Sequence, residues 1–116
     1  MGKFTVGKAS HQVGSVVLVN FPFSNLKGQK LRPALVVAIV EFKNLILCQI
    51  TSKSYSSKIS IELYPHDFSD KGLSIVSYVR PDKIFTADPT IVKSAIGQLT
   101  LQKKKEILGD IRTLFT

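Results

Sequence analysis

The sequence predicts a mainly β protein with a C-terminal helix, folded as one small curled barrel. Its apolar segments are short, rich in valine and isoleucine, and separated by loops of uneven length, which is typical of strands. Only the end of the chain has apolar residues at helical spacing, so the pattern does not favour alternating strands and helices. The 116 residues, 44% of them hydrophobic, are enough for one domain with a buried core.

Three strands are predicted in the first half of the chain. Residues 1–12 are polar and basic, and we expect a flexible leader there, followed by a single domain over residues 13–116. Residues 13–21, rich in valine, form the first predicted strand. Residues 33–41 and 45–51 form the second and third, joined by a tight turn.

Shorter strands are predicted in the second half. Residues 58–63 alternate strictly between polar and apolar, as a half-exposed strand does. Residues 75–79 and 83–85 indicate two short strands on either side of a turn at residues 80–82. Asp88 is predicted to cap a short helical turn that begins at the proline after it.

The last part of the chain predicts an amphipathic helix that closes the sheet. Thr100 is a favourable N-cap residue, and Lys103, Lys104 and Lys105 are predicted to lie on a solvated face opposite the apolar one. The apolar positions at helical spacing are Leu101, Ile107, Leu108, Ile111, Leu114 and Phe115.

The charge balance predicts a polyanionic partner. Sixteen Lys and Arg residues stand against eight Asp and Glu residues, which gives a formal net charge of +8. So large an excess of positive charge favours binding to nucleic acid, or at least attraction toward a polyanionic partner. The alternative is a basic, soluble surface that binds no nucleic acid.

Cysteine usage and hydropathy predict a cytoplasmic protein. Cys48 is the one cysteine of the chain, so no internal disulfide can form, which fits a reducing compartment. Its apolar neighbours indicate a core residue rather than a nucleophile. No segment approaches the roughly 18 apolar residues of a membrane span, and the start of the chain lacks the apolar centre of a signal peptide.

The common catalytic motifs are missing from the sequence. It contains no glycine-rich phosphate loop, no Gly-x-Ser-x-Gly motif and no His and Cys at metal-ligand spacing. His11 and His66 have no local partner and are more typical of surface histidines. The carboxylates are scattered, whereas a two-metal nuclease needs them clustered, so neither a metal nor another cofactor is predicted.

Arg32 is the most informative candidate site residue. It begins an otherwise apolar strand, although a buried guanidinium costs several kcal/mol unless it is paired. Pro33 holds the residue before it in extended geometry. The preceding loop, residues 23–31, carries Lys27 and Lys30. A fixed cation beside a basic loop suits phosphate recognition.

Thr51 ends the third predicted strand, and Ser52 and Lys53 follow it directly. Neighbouring strands of the sheet would bring these residues close to Arg32. Such a set suits phosphoryl transfer within RNA, where the 2′-hydroxyl already lies beside its phosphate. A guanidinium can form two parallel bonds to phosphate oxygens, and a threonine hydroxyl one more. The alternatives are that Thr51 bonds its own backbone and that Lys53 is an ordinary loop lysine.

Four segments together resemble the MazF/PemK/Kid toxins of bacterial toxin–antitoxin pairs. They are residues 14–23, the block Arg32-Pro33-Ala34-Leu35-Val36, residues 49–52 and residues 77–88, and their order and spacing match the family over residues 13–115. The resemblance implies an SH3-like barrel, shared with the gyrase poison CcdB, and a homodimer.

The resemblance also implies a metal-independent, sequence-specific endoribonuclease that cleaves single-stranded RNA and leaves a 2′,3′-cyclic phosphate. Arg32 would be the catalytic arginine that stabilises the phosphorane and could donate a proton to the leaving oxygen. Thr51 would be the catalytic threonine that either holds the scissile phosphate or helps to position the 2′-hydroxyl. An acidic cognate antitoxin would fill the basic groove. The residues expected to bind substrate are Ser24, Lys27, Lys30, Ser52, Lys53 and Lys83.

Three positions depart from the family pattern. Ser15 stands where an acidic residue is usual, Phe85 where many members have arginine, and Lys83 where glutamine is common. These changes leave both predicted catalytic positions intact and bear on RNA sequence preference and dimer contacts.

Two non-catalytic alternatives remain open at this stage, a CcdB-like gyrase poison and a DNA- or RNA-binding co-repressor. If base stacking matters, the available aromatic residues are Phe21, Phe23, Tyr55 and Phe85, most of which we expect in the core.

Overall fold

A single antiparallel sheet and one helix make up the computed structural model, which describes residues 11–21, 30–53 and 58–116. The sheet is curled and has the strand order β4-β6-β3-β2-β1-β7-β5, which confirms the mainly β prediction. The elements are β1 (Ser15–Phe21), β2 (Lys30–Ile39), β3 (Leu45–Thr51), β4 (Ile61–Leu63), β5 (Phe68–Lys71), β6 (Ser77–Ala87), β7 (Val92–Leu99) and α1 (Leu101–Leu114).

Apolar residues are buried on both faces of the sheet because the central strands are apolar at successive positions. Leu35 and Ile50 belong to the core on the face that α1 covers, here called the helix face. Their neighbours in sequence project to the opposite, second face. The second face has a separate core, formed by Val17, Val19, Ala34, Val36, Leu45 and Leu47.

Helix α1 begins as predicted, with the Thr100 hydroxyl accepting a hydrogen bond from the Lys103 N–H at 3.1 Å. Ile107 and Ile111 are buried in the helix-face core, whereas Leu101 and Phe115 are exposed. The apolar stripe is therefore narrower than the sequence predicts. No helix in the described part of the chain is long and apolar enough to cross a membrane.

The prediction of a solvated face for Lys103 is wrong. Its side chain is only 12% exposed, and its ammonium lies 3.7 Å from Asp67 Oδ2 and 3.4 Å from Glu106 Oε2. Because Asp67 is distant in sequence, helical periodicity could not reveal this partner.

Strand β6 is continuous, so the prediction of two short strands around a turn is also wrong. Arg80 pairs with Gln49 and Ile84 with Cys48, which leaves residues 81–83 as a bulge opposite β3. The segment Arg80-Pro81-Asp82 indicates a turn in the sequence, but the chain does not reverse there, because β6 pairs with β3 both before and after the bulge. The capped turn before β7 forms as predicted, with Asp88 accepting a hydrogen bond from the Thr90 N–H.

Ser15 belongs to a buried polar network at the beginning of β1. Its hydroxyl donates to Gln98 Oε1 at 2.8 Å and accepts from the Gln12 N–H at 3.2 Å. Gly14, with φ +96°, allows this close packing, since a Cβ there would lie 2.8 Å from the side chains of Gln98 and Lys104. The Ser15 position is therefore structural.

The sheet ends at two short strands. β4 has three residues and β5 four, and Ser69, Asp70 and Lys71 of β5 are exposed. β5 lies tightly against β7, because a Cβ at Gly97 would be only 2.7 Å from the Asp70 carbonyl oxygen.

Candidate functional site

Arg32 lies near the beginning of β2, directly opposite Val19 of β1. It alternates with Ala34 and Val36, which both belong to the second-face core, so its side chain projects to the second face. The residue is half-buried. β2 begins at Lys30, so Arg32 is the third residue of the strand and not, as the sequence predicts, the residue before it.

Thr51 is the last residue of β3, the strand next to β2 in the sheet. The pairing of β2 with β3 ends at Ala34 and Gln49, and the same register continued by two residues would bring Thr51 opposite Arg32. Directly opposite residues have Cβ atoms about 5 Å apart and project to the same face. On its other side, Thr51 pairs with Tyr78 of β6.

The Thr51 hydroxyl accepts a hydrogen bond from the Lys53 N–H at 3.1 Å. The bond to its own backbone that the sequence left as an alternative is thus present. Because the hydroxyl acts as acceptor in this bond, its proton is still available to donate to a phosphate oxygen. The backbone contact orients the hydroxyl without using its proton.

The remaining predicted substrate residues are only partly brought together. Lys30 is exposed two positions before Arg32, and Ser52 and Lys53 are exposed directly after β3. Lys83 is exposed in the β6 bulge, beside the middle of β3 rather than at its end. Ser24 and Lys27 lie outside the described residues.

A second arginine, Arg80, also projects to the second face, opposite Gln49. Its Nε donates to Asp82 Oδ1 at 3.0 Å and its terminal nitrogen to Asp82 Oδ2 at 2.6 Å. This pair holds the pKa of Asp82 below its ordinary value. The Arg80 charge is therefore compensated within the protein.

Sequence reasoning missed an aromatic and acidic cluster beside Thr51. Tyr78 pairs with Thr51 on one side and with Glu62 of β4 on the other. The Tyr64 hydroxyl donates to Glu62 Oε1 at 2.9 Å, and its ring stacks on His66. This bond raises the pKa of the Tyr64 phenol, with smaller contributions that include Tyr78. The pairing of β4 with β6 that assembles the cluster leaves no local signal in the sequence.

Phe85 packs against the second-face core opposite Leu47, so the structure assigns it to packing. Of the other aromatic residues considered for base stacking, Phe23 and Tyr55 and the side chain of Phe21 lie outside the described part of the structure.

Cys48 is fully buried in the helix-face core, as the sequence predicts. Burial, followed by the negative charge of Asp82, raises the pKa of its thiol to about 11. The thiol is therefore protonated at neutral pH and is a poor nucleophile. Among the described residues, no three His, Cys, Asp or Glu side chains are grouped so that they could hold a metal ion.

The chain matches a protein-family model over residues 12–115, nearly its full length. That family is described as the PemK-like, MazF-like toxins of type II toxin–antitoxin systems. No curated protein sequence is significantly similar to the chain.

Several solved structures share the fold at low sequence identity. The MazE–MazF complex (Form-II) from Deinococcus radiodurans has a TM-score of 0.70 and 22% identity, covering 90% of this chain and 94% of that one. An endoribonuclease in complex with its cognate antitoxin from a mycobacterial species has a TM-score of 0.68 and 18% identity, with coverages of 88% and 91%. The Mycobacterium tuberculosis toxin MazF-mt6 has a TM-score of 0.65 and 18% identity, with coverages of 87% and 95%.

Proposed function

Because this chain belongs to the PemK-like, MazF-like toxins of type II toxin–antitoxin systems, we propose that it is an endoribonuclease that cleaves single-stranded RNA with Arg32 and Thr51. One observation carries the proposal: both residues belong to strand positions that project to the second face, Arg32 near the beginning of β2 and Thr51 at the end of the neighbouring strand β3. The names of solved structures with the same fold, which include endoribonucleases, support it.

The proposed reaction is attack of a 2′-hydroxyl on the adjacent phosphorus. The bond between O2′ and phosphorus forms as the bond to the leaving O5′ breaks, which yields a 2′,3′-cyclic phosphate and a 5′-hydroxyl. The 2′-hydroxyl loses its proton, and the leaving oxygen gains one. The attacking and leaving groups are already part of the substrate, so the protein supplies orientation and charge stabilisation.

Arg32 and Thr51 stabilise the charge that develops on the phosphate oxygens. The Arg32 guanidinium donates two parallel hydrogen bonds to non-bridging oxygens and neutralises the phosphorane. The Thr51 hydroxyl, oriented by the Lys53 N–H, donates a further bond. No metal ion or other cofactor takes part in this proposal.

The proposed partners follow from the charge of the chain. A net charge of +8 attracts RNA and also an acidic antitoxin segment that would compete with RNA for the same surface. The similar structures from Deinococcus and from a mycobacterial species were solved with an antitoxin bound. We further propose a homodimer that acts in the cytoplasm.

The test compares the wild-type protein with Arg32→Ala and Arg112→Ala on a long unstructured RNA in the presence of EDTA. Arg112 is the matched control, because it is exposed at the end of α1. We expect the wild type and the control to cut at the same sites. Arg32→Ala should be slower by about 10²–10³-fold, as when one transition-state donor is lost, with an unchanged circular dichroism spectrum.

Each part of the proposal has its own contradicting result. Equal cleavage by Arg32→Ala would remove Arg32 from the reaction, and cleavage that stops in EDTA would contradict the metal-independent mechanism. Products lacking the 2′,3′-cyclic phosphate in mass spectrometry would contradict 2′-hydroxyl attack. Poisoning of DNA gyrase without any RNA cleavage would favour the non-catalytic alternative.

A further inference from the structure

The second face carries a row of side chains beside Thr51 that the proposed reaction does not use. Tyr78 pairs directly with Thr51 on β3 and with Glu62 on β4. Opposite residues of antiparallel strands project to the same face with Cβ atoms about 5 Å apart. The Tyr78 side chain therefore leaves the sheet beside the Thr51 hydroxyl, and the Glu62 carboxylate follows it.

Two stacked rings continue this row. The Tyr64 hydroxyl donates to Glu62 Oε1 at 2.9 Å. The Tyr64 ring stacks on the His66 imidazole, with centroids 5.4 Å apart and an angle of 14° between the planes. The His66 side chain is 79% exposed, so the stack is open to solvent. We call Tyr64, His66 and Tyr78 the stacking platform.

Asp67 holds the turn that carries the Tyr64 and His66 rings of the platform. Its carboxylate accepts a hydrogen bond from the Tyr64 N–H at 2.8 Å, and its own N–H donates to the Tyr64 carbonyl at 2.9 Å. Its carbonyl accepts from the N–H of Thr100, the N-cap of α1, at 2.9 Å. Since the rings are held before any ligand arrives, little conformational freedom is lost on binding.

We propose that the stacking platform binds bases of single-stranded RNA next to the phosphate held by Arg32 and Thr51, and that Glu62 accepts a hydrogen bond from an exocyclic amino group. Aromatic side chains stack on every base, whereas a carboxylate accepts from amino groups such as cytosine N4 and repels phosphate. The row thus has a cationic end for the RNA backbone and an aromatic, acidic end for bases. This inference rests on the proposed endoribonuclease function and names its base subsite.

The platform is tested with a short RNA that carries a 2′-deoxy nucleotide at the cleavage site and 2-aminopurine at one position at a time. Stacking quenches 2-aminopurine fluorescence, so the wild type should quench it at positions adjoining the scissile bond. Tyr78→Leu and Tyr64→Leu should lose the quenching, and KM for the cleavable RNA should rise about tenfold with kcat much less affected. Tyr78→Phe keeps the ring and should restore the wild-type signal.

Phe42→Leu is the matched control. The Phe42 ring is 88% exposed, and it lies in the turn between β2 and β3, at the opposite end of these strands from Arg32 and Thr51. Quenching and KM should therefore equal those of the wild type. Quenching that survives in both leucine variants would overturn the platform while leaving Arg32-dependent cleavage intact.

The role of Glu62 has a separate readout. In Glu62→Ala, the ratio of kcat/KM for cytosine over uracil at the quenched position should fall toward one. An unchanged ratio would contradict recognition of an amino group by Glu62. A wild-type protein that neither cleaves nor binds RNA would remove this inference together with the proposed function.

Discussion

Asp67 and Lys103 form an ion pair that joins the turn after β4 to the first turn of α1. The carboxylate Oδ2 and the ammonium nitrogen are 3.7 Å apart, and the two side chains are only 13% and 12% exposed. The same carboxylate accepts the Tyr64 N–H. One acidic residue thus supports both the turn that carries Tyr64 and His66 and the packing of the helix.

Asp67→Ala should therefore destabilise the protein. The substitution leaves the Tyr64 N–H without a partner and the shielded Lys103 ammonium with only Glu106, which should cost about 1–3 kcal/mol in the free energy of unfolding. Urea denaturation followed by circular dichroism measures the change. The control is Glu106→Ala, because the Glu106 side chain is 52% exposed and contacts the same lysine. Such an exposed pair contributes about 0–1 kcal/mol to the free energy of unfolding. Equal losses of stability in the two variants would contradict the assigned role of Asp67.

Thr51→Ser and Thr51→Val separate the hydroxyl from the shape of the side chain. Serine keeps a hydroxyl that can accept the Lys53 N–H and donate to phosphate, so we expect RNA cleavage within about tenfold of wild type. Valine has nearly the same shape without the hydroxyl, and cleavage should fall by about 10²-fold or more. Single-turnover kinetics on one RNA site measures both. Equal rates for valine and threonine would show that the hydroxyl takes no part.

The Arg80–Asp82 pair predicts a pH dependence of stability at the acidic end. The hydrogen bond from Arg80 is the main cause that lowers the pKa of Asp82 in the folded protein below its ordinary value of 3.8. A group with a lowered folded pKa stabilises the native state above its unfolded pKa, and this contribution disappears as the pH falls through the folded pKa. The free energy of unfolding of wild type should thus exceed that of Asp82→Asn well above pH 3.8, and the difference should shrink below it.

Urea denaturation at a series of pH values measures this difference. Asp110→Asn, at an exposed position of α1, provides the matched carboxylate control and should show no comparable trend. A wild-type advantage over Asp82→Asn that stays constant from neutral to acidic pH would contradict the assigned pair.

The buried thiol of Cys48 should be unreactive in the native protein. Burial and the charge of Asp82 raise its pKa to about 11, so hardly any thiolate exists at pH 8, and the side chain is fully buried. Ellman's reagent should label the native protein only as slowly as it unfolds, and label one thiol at once in denaturant. Rapid labelling of the native protein would contradict this prediction. Alkylation after unfolding provides the control for total thiol content.

Sequence patterns predict those strands and helices that depend mainly on residues close together in the chain. The third strand has the predicted bounds, because a run that is apolar except at Gln49 and Thr51 suits a strand buried on both faces. Helix α1 begins where Thr100 caps it. β7 was not predicted, since Lys93, Ser94 and Gly97 interrupt any alternation, and the strand is instead supported by pairing with β1 and β5.

The residues of the candidate site also differ in whether the sequence alone predicts them. Arg32 and Thr51 could be found from the sequence because each stands at the end of an apolar strand, where a cation or a hydroxyl is noticeable. The aromatic neighbours of Thr51 could not, because Tyr78 reaches it through β6 pairing and Tyr64 through a bond to Glu62. Neither contact leaves a periodic signal.

The short outer strands of the sheet restrict how two copies of this protein can associate. β4 offers three residues and β5 four, and the exposed Asp70 and Lys71 place charges along the second edge. A strand from another copy that paired with β4 or β5 alone would gain few backbone hydrogen bonds. Association of copies through β4 or β5 alone is therefore weak, and any larger surface that joins two copies is removed from contact with other ligands.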